Sequence, residues 1–267
     1  MKRIVWFLLV IGVIFLFMGC SVKKSEQSLQ KEETKVATTE KKKNTQTEIT
    51  TETAKEKYLV AIDAGHQEHQ NSDTEPIGPG ASEQKMKVAS GTQGIKTGNP
   101  EYVINLEVSK KLRDILENRG YEVLMIRESN DVDISNRERA EIANNAQADI
   151  FLRIHCNSAE DSSTNGALAL CPDSKNPYCS EKMKKASSEL SEIVLKNLCE
   201  KTGAKQLSMI RTSTMSGINW SEIPVSIIEM GFMSNPDEDQ KLGDDVYQTQ
   251  LAEGIADGVD QYFEEIE

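Results

Sequence analysis

The chain has 267 residues, of which 37% are hydrophobic and 28% charged, and carries a formal net charge of -12. That length and mix suit a globular protein of one large or two small domains with an added polar segment. The acidic balance argues against a nucleic-acid binder, which needs a basic footprint to release counterions.

Met1-Lys2-Arg3 is a basic start, Ile4 to Met18 is apolar apart from Gly12, and Gly19-Cys20 follows at once. This is the tripartite pattern of an export signal, too short for a confident spanning helix. Phe17-Met18-Gly19-Cys20 resembles the lipobox of bacterial lipoproteins, whose cysteine is diacylated and becomes the new N-terminus; Phe17 stands where the motif usually has Leu. The resemblance implies a signal over residues 1–20, lipidation at Cys20 and residence on the outer face of the cell membrane. An uncleaved anchor or ordinary cleavage would export the domain equally. From Ser21 to Lys57 the only large apolar residues are Val22, Leu29, Val36 and Ile49. Such a stretch cannot bury enough surface to offset its ordering entropy, so residues 21–57 read as a disordered tether.

Residues 58–267 read as one folded domain. Leu59 to Ile62 is a short apolar run, broken by Asp63-Ala64-Gly65 just where His66 is presented. Gln67 to Gly98 is polar and glycine-bearing, and reads as a long functional loop. Asn99-Pro100-Glu101 marks a helix start, with Asn99 as cap and Pro100 at the first helical position, Ile104, Val108, Leu112 and Ile115 give its apolar face, and Gly120 ends it. Tyr121 to Ile126 is a strand; Ser135 with Glu138 makes a capping box for the next helix. Asp149 to His155 is a strand ending on a second histidine. Ala167 to Leu170 is another strand, then comes a helix from about Cys179 to Lys201. Met209-Ile210 is a short strand, Pro224 to Met230 a stronger one, and a last helix carries Leu251, Ile255, Val259 and Tyr262. Alternating strands and helices predict an α/β domain with a mostly parallel central sheet and helices on both faces. Cys156, Cys171, Cys179 and Cys199 show no CxxC pair and read as buried free thiols, although an exported domain permits a Cys171–Cys179 disulfide.

Sites on such sheets form beyond the carboxyl ends of the strands, where His66, His155 and Glu229 all fall. Two histidines and a carboxylate leave one position of a tetrahedral zinc open, as a catalytic site requires. The third histidine, His69, sits in the long loop and is the weaker candidate. The carboxylate ligand is Glu101, in the first helical turn, or Glu107, nearly two turns deeper. Glu229 follows the apolar run Val225-Ser226-Ile227-Ile228 and is placed to move a proton.

Ile62-Asp63-Ala64-Gly65-His66, Pro100-Glu101-Tyr102-Val103-Ile104-Asn105-Leu106, Arg153-Ile154-His155-Cys156-Asn157-Ser158 and Pro224 to Asn235 resemble, in order, the motifs of the zinc-dependent N-acetylmuramoyl-L-alanine amidases of the Amidase_3 type. Arg127 with Asp131, and Arg137 with Asn144, are similar to that family's Arg-x-x-D and Arg-x-x-x-Ala-Asn stretches. The resemblance implies an amidase fold related to zinc exopeptidases, with His66, Glu101 and His155 as zinc ligands, Glu229 as catalytic acid/base, and peptidoglycan as substrate. It selects Glu101 over Glu107. Asn157 and the long loop become substrate contacts. Gln67-Glu68 stands where the family usually has Gly-Gly, Tyr102 where a basic residue is usual, and Cys156 where a small one is. A zinc peptidase cutting within the stem peptide, and a non-catalytic wall-binding protein on the same fold, are the competing readings; a regulatory protein partner is not legible in the sequence.

Overall fold

A computed structural model of the protein describes residues 58–267; the export signal with Cys20 and the tether, residues 1–57, lie outside the described residues. Eight strands and six helices follow in chain order as β1 (Leu59–Ala64), β2 (Asn71–Pro76), β3 (Gln84–Val88), α1 (Glu101–Asn118), β4 (Glu122–Met125), α2 (Asn136–Asn145), β5 (Ile150–Asn157), β6 (Leu168–Pro172), α3 (Glu181–Thr202), β7 (Ile210–Thr212), α4 (Ser216–Asn219), β8 (Val225–Phe232), α5 (Pro236–Leu242) and α6 (Asp245–Ile266). The main sheet has the order β4-β1-β5-β8-β6-β7. Strands β4, β1, β5 and β8 run parallel, whereas β6 pairs antiparallel with β8 and β7 runs parallel to β6. The expected mostly parallel sheet is therefore present, with two reversed strands at one edge.

Period-two alternation decides what each face of the sheet carries. Val60, Ile62, Leu152, Ile154 and Ile228 face α1, α3 and α6, which supply Leu112, Leu190, Leu195 and Ile255 to a buried core. Ala61, Phe151, Leu170 and Ile227 face a second, smaller core with Ala140 and Ala143 of α2 and Ile218 of α4. Asp63, Arg153, His155 and Glu229 share that second parity. The functional side chains therefore stand on the less heavily covered face.

The long loop is the main departure from expectation. It contains a hairpin, β2 antiparallel to β3, with a register irregularity between Asn71 and Thr74. Its polar strands lack the apolar alternation that marks a strand, and tertiary bonds hold it instead: Trp220 Nε1 donates to the Pro76 carbonyl and Asn136 to that of Lys87. At α1, Pro100 rather than Asn99 occupies the cap position and no side chain caps it. The Ser135–Glu138 capping box forms as expected. All four cysteines of the domain are free and buried.

Candidate metal centre

His66 lies just beyond β1 with φ at 61°, in the left-handed region that non-glycine residues seldom adopt. Two arginines hold this turn. Arg127 donates to the carbonyls of Ala64, Gly65 and Tyr102 and, through its remaining N–H groups, to Ser129 and Asn130. Arg139, fully buried, donates to Asp63, to the carbonyls of Ala64, His66 and Ile134, and to Gln67 Oε1. Gln67 is itself buried and accepts from Ile134 N, so the residue standing where the family usually has Gly is part of this support. A Cβ on Gly65 would lie 2.2 Å from the His155 ring; glycine there lets the two imidazoles approach to 4.8 Å between centroids.

Glu101 opens α1, where the helix dipole favours a carboxylate. Its Oε1 accepts from Cys156 N at 3.0 Å and Asn105 Nδ2 at 3.1 Å, and its Oε2 from Thr92 N at 2.9 Å. Burial opposes its ionisation most strongly; hydrogen bonds and charge from the protonated forms of His155 and His66 hold it well below the usual carboxylate range, a part that a cation would take over when the two imidazoles are neutral ligands. Thr92 belongs to a strap, residues 89–99, whose Ala89 carbonyl meets His66 Nδ1 at 2.8 Å. Gly91, at φ 84°, passes so near that a Cβ would sit 2.6 Å from Glu101 Oε2. The strap's far end is pinned by buried Asp239 of α5, which accepts from Lys96 N, Thr97 N and Thr97 Oγ1.

The three ligand atoms of His66, Glu101 and His155 lie within 4.8 Å of one another. Glu101 Oε1 is 3.3 Å from His66 Nε2 and 3.2 Å from His155 Nδ1. Two donors each ~2.0 Å from one tetrahedral zinc would stand about 3.3 Å apart. The chemistry of the donors agrees. The Ala89 carbonyl only accepts, so the neutral form of His66 that a metal would bind carries its proton on Nδ1 and turns an Nε2 lone pair toward a carboxylate oxygen. Two such acceptors facing each other at 3.3 Å are held together by a cation between them, a proton or a metal ion. Burial pushes His155 down to about 4, keeping it neutral as a ligand must be, and its Nε2 is shielded without a partner among the described residues. The residues present therefore fit a metal of the zinc type.

Glu229 is the register partner of His155 across β5 and β8. Its Oε2 is shielded and has no hydrogen-bond partner among the described residues. Burial, reinforced by the charge of Glu101 and opposed by Arg153, pushes its carboxyl up to about 8, so it can hold and release a proton near neutrality. Glu229, His66 and His155 share a cleft of about 260 Å3 with Lys85 and Met86 of β3, Arg153, and Met215 to Gly217 at α4.

The other sequence candidates stand apart from this group. His69 is exposed, and Glu107 is exposed and accepts from Gln248. The Asn157 side chain turns back to accept from Ser158 N, and Asn157 does not line the cleft. Arg137 lies over the Trp220 ring at 4.2 Å and pairs with Glu141, whereas the buried arginine of α2 is Arg139. The spacing Arg139-x-x-x-Ala143-Asn144 carried that signal, and sequence reading passed over it. Asp239 and Gln67 gave no local signal, because their partners are remote in sequence.

Comparison with known proteins bears on this geometry. Residues 60–261 match the Amidase_3 family, described as N-acetylmuramoyl-L-alanine amidase. The chain is 31% identical over 187 residues to the N-acetylmuramoyl-L-alanine amidase LytC of Bacillus subtilis, a match covering 70% of this chain and 35% of that protein. It thus spans about a third of the length of that relative. The catalytic domain of CwlV, an N-acetylmuramoyl-L-alanine amidase from Bacillus (Paenibacillus) polymyxa, superposes with a TM-score of 0.63 at 26% identity, covering 78% of this chain and 98% of that domain. The CwlD amidase of Clostridioides difficile, solved in complex with the GerS lipoprotein, gives a TM-score of 0.63 at 25% identity, covering 78% and 99% of the two chains.

Proposed function

This chain belongs to the Amidase_3 family of N-acetylmuramoyl-L-alanine amidases, and on that premise we propose that it hydrolyses the amide between the lactyl group of N-acetylmuramic acid and L-alanine in peptidoglycan. The observation that carries the reading is the His66 Nε2 turned on Glu101 beside His155, with a Glu229 oxygen in the same cleft that has no partner among the described residues.

His66, Glu101 and His155 would hold zinc. When bound it supplies Lewis acidity toward the amide carbonyl and toward water. Glu229 accepts the proton of the attacking water and returns it to the departing alanine nitrogen, the work of a carboxyl with a raised pKa in a shielded cleft. Arg127 and Arg139 fix the turn of His66, and the 89–99 strap fixes Glu101, so the reacting groups need no rearrangement at the moment of reaction. No helix among the described residues is long and apolar enough to cross a membrane. Attachment rests on the signal pattern: lipid on Cys20 would hold the enzyme at the outer membrane face, with residues 21–57 as a tether into the wall.

Digestion of purified peptidoglycan by the zinc-loaded protein tests the reading. Mass spectrometry should find glycan ends with free lactyl groups and stem peptides with free alanine N-termini. Cuts confined to the stem peptide would overturn it.

A further inference from the structure

Arg127 and Arg139 each spend all five N–H groups on protein acceptors. Arg153 does not. Its Nε donates to Asp63 and its Nη2 to Asn136, while Nη1 lies where a Cβ on Gly217 would come within 2.0 Å of it. Among the described residues Arg153 thus keeps donors free at the wall of the cleft it lines. Two further donors line the same cleft. Ser216 is 4% exposed and its Oγ has no partner among the described residues. Lys85 reaches across from β3 to the Thr214 carbonyl at 2.9 Å and to the Met215 sulfur at 3.9 Å, which leaves one of its three N–H groups. Burial lowers its amine, against the charge of Glu83 and with a smaller contribution from the like charge of Arg153. Arg153 shares the single Asp63 carboxylate with Arg139, so the two cations and the buried orphan hydroxyl of this cleft still offer spare donors and positive charge to an anion.

Strand register places this group relative to the reacting one. His155 pairs with Glu229, and two residues earlier Arg153 pairs with Ile227, which pairs with Leu170. Two residues along a strand is about 6.6 Å. In the substrate, the α-carboxyl of the second stem residue lies one extended residue and a carboxyl group beyond the scissile nitrogen, roughly 6 Å. At about 260 Å3 the cleft is below the usual range of drug-sized pockets and suits a short peptide segment.

We propose that Arg153, Ser216 and Lys85 form a carboxylate subsite that receives the free α-carboxylate of the second, γ-linked acidic residue of the stem peptide. The subsite rests on the amidase reading above. It makes the enzyme discriminate between stem peptides with that carboxylate free and those with it amidated, because an amide places a donor against donors.

The test uses two muropeptides, muramoyl-L-alanyl-γ-D-glutamate and its isoglutamine counterpart, with zinc-loaded wild type, Lys85→Met and Ser216→Ala. Arg153 is left intact because removing it would strand Asp63. The wild type should favour the acid by about tenfold or more in kcat/KM, the worth of a charge-assisted hydrogen bond. In each variant the acid-to-amide ratio should fall toward one, through KM for the acid. Equal use of both substrates by the wild type, or variants that slow both alike, would overturn the subsite while leaving the amidase reading standing. Failure to release the lactyl end from either substrate would overturn both.

Discussion

Two polar clusters meet at β5 and the end of β1, a few residues apart, and they are built on opposite principles. In the first, Asp63 lies between Arg139 Nη1 at 2.6 Å and Arg153 Nε at 2.9 Å, and all three side chains are buried. Both carboxylate oxygens are met, and burial's push against ionisation is overcome by the two guanidinium charges, which hold Asp63 well below the usual range. In the second, His66, Glu101, His155 and Glu229 leave facing acceptors and two shielded atoms without partners. Native proteins seldom leave such groups unmet, so the second cluster is where a ligand belongs and the first is the frame that aims it.

If that contrast is right, mutations should split by readout. Glu229→Ala carries the largest expected effect: hydrolysis of peptidoglycan should fall by roughly 10²- to 10⁴-fold, with zinc still bound. Its Tm should stay level or rise, because an unmet buried acid is removed. Turnover within threefold of wild type would sink its proton-transfer role.

Asp63→Ala should do the reverse, destabilising the fold by about 3–5 kcal/mol in urea titration by leaving two buried cations unpaired. The same pair predicts a pH response. Asp63 has its pKa depressed on folding, so its contribution is complete above the unfolded value near 3.8 and drains away as pH falls below it. Wild-type stability measured from pH 5 to pH 2 should show this loss, and Asp63→Asn should lack that part of the slope; parallel curves would show the clamp to be energetically inert.

Zinc should stabilise the wild type by about 2.7 kcal/mol when free metal is a hundredfold above Kd. His155→Ala should abolish that increment in a thermal-shift titration, and an undiminished shift would place the metal elsewhere. The smallest effect belongs at the surface, outside both clusters. Arg137→Ala should cost about 0.5–1 kcal/mol through its contact with Trp220 and leave kcat alone; a large loss of activity would assign this arginine a part in catalysis after all.

Much of the domain was legible because its signals are local. Apolar runs marked β1, β5 and β8, and spaced apolar residues with a capping box marked the helices. Strand-end placement singled out His66, His155 and Glu229. The β2–β3 hairpin was not legible: its strands are polar, and what holds them is α2 and the segment around Trp220. The reversal of β6 was equally hidden, since strand direction depends on where the connection crosses and not on strand composition.

The sequence by itself determined which residues have chemistry to offer and at which strand ends they stand, because two-residue and 3.6-residue periods are written into the chain. Only the tertiary structure decided which of them are satisfied. Arg139 and Arg153 are both arginines near an aspartate, yet one has every donor engaged and the other retains donors at a cleft. That difference depends on carbonyls and side chains up to 90 residues away, and such long-range pairing becomes fixed only when the strands are in register.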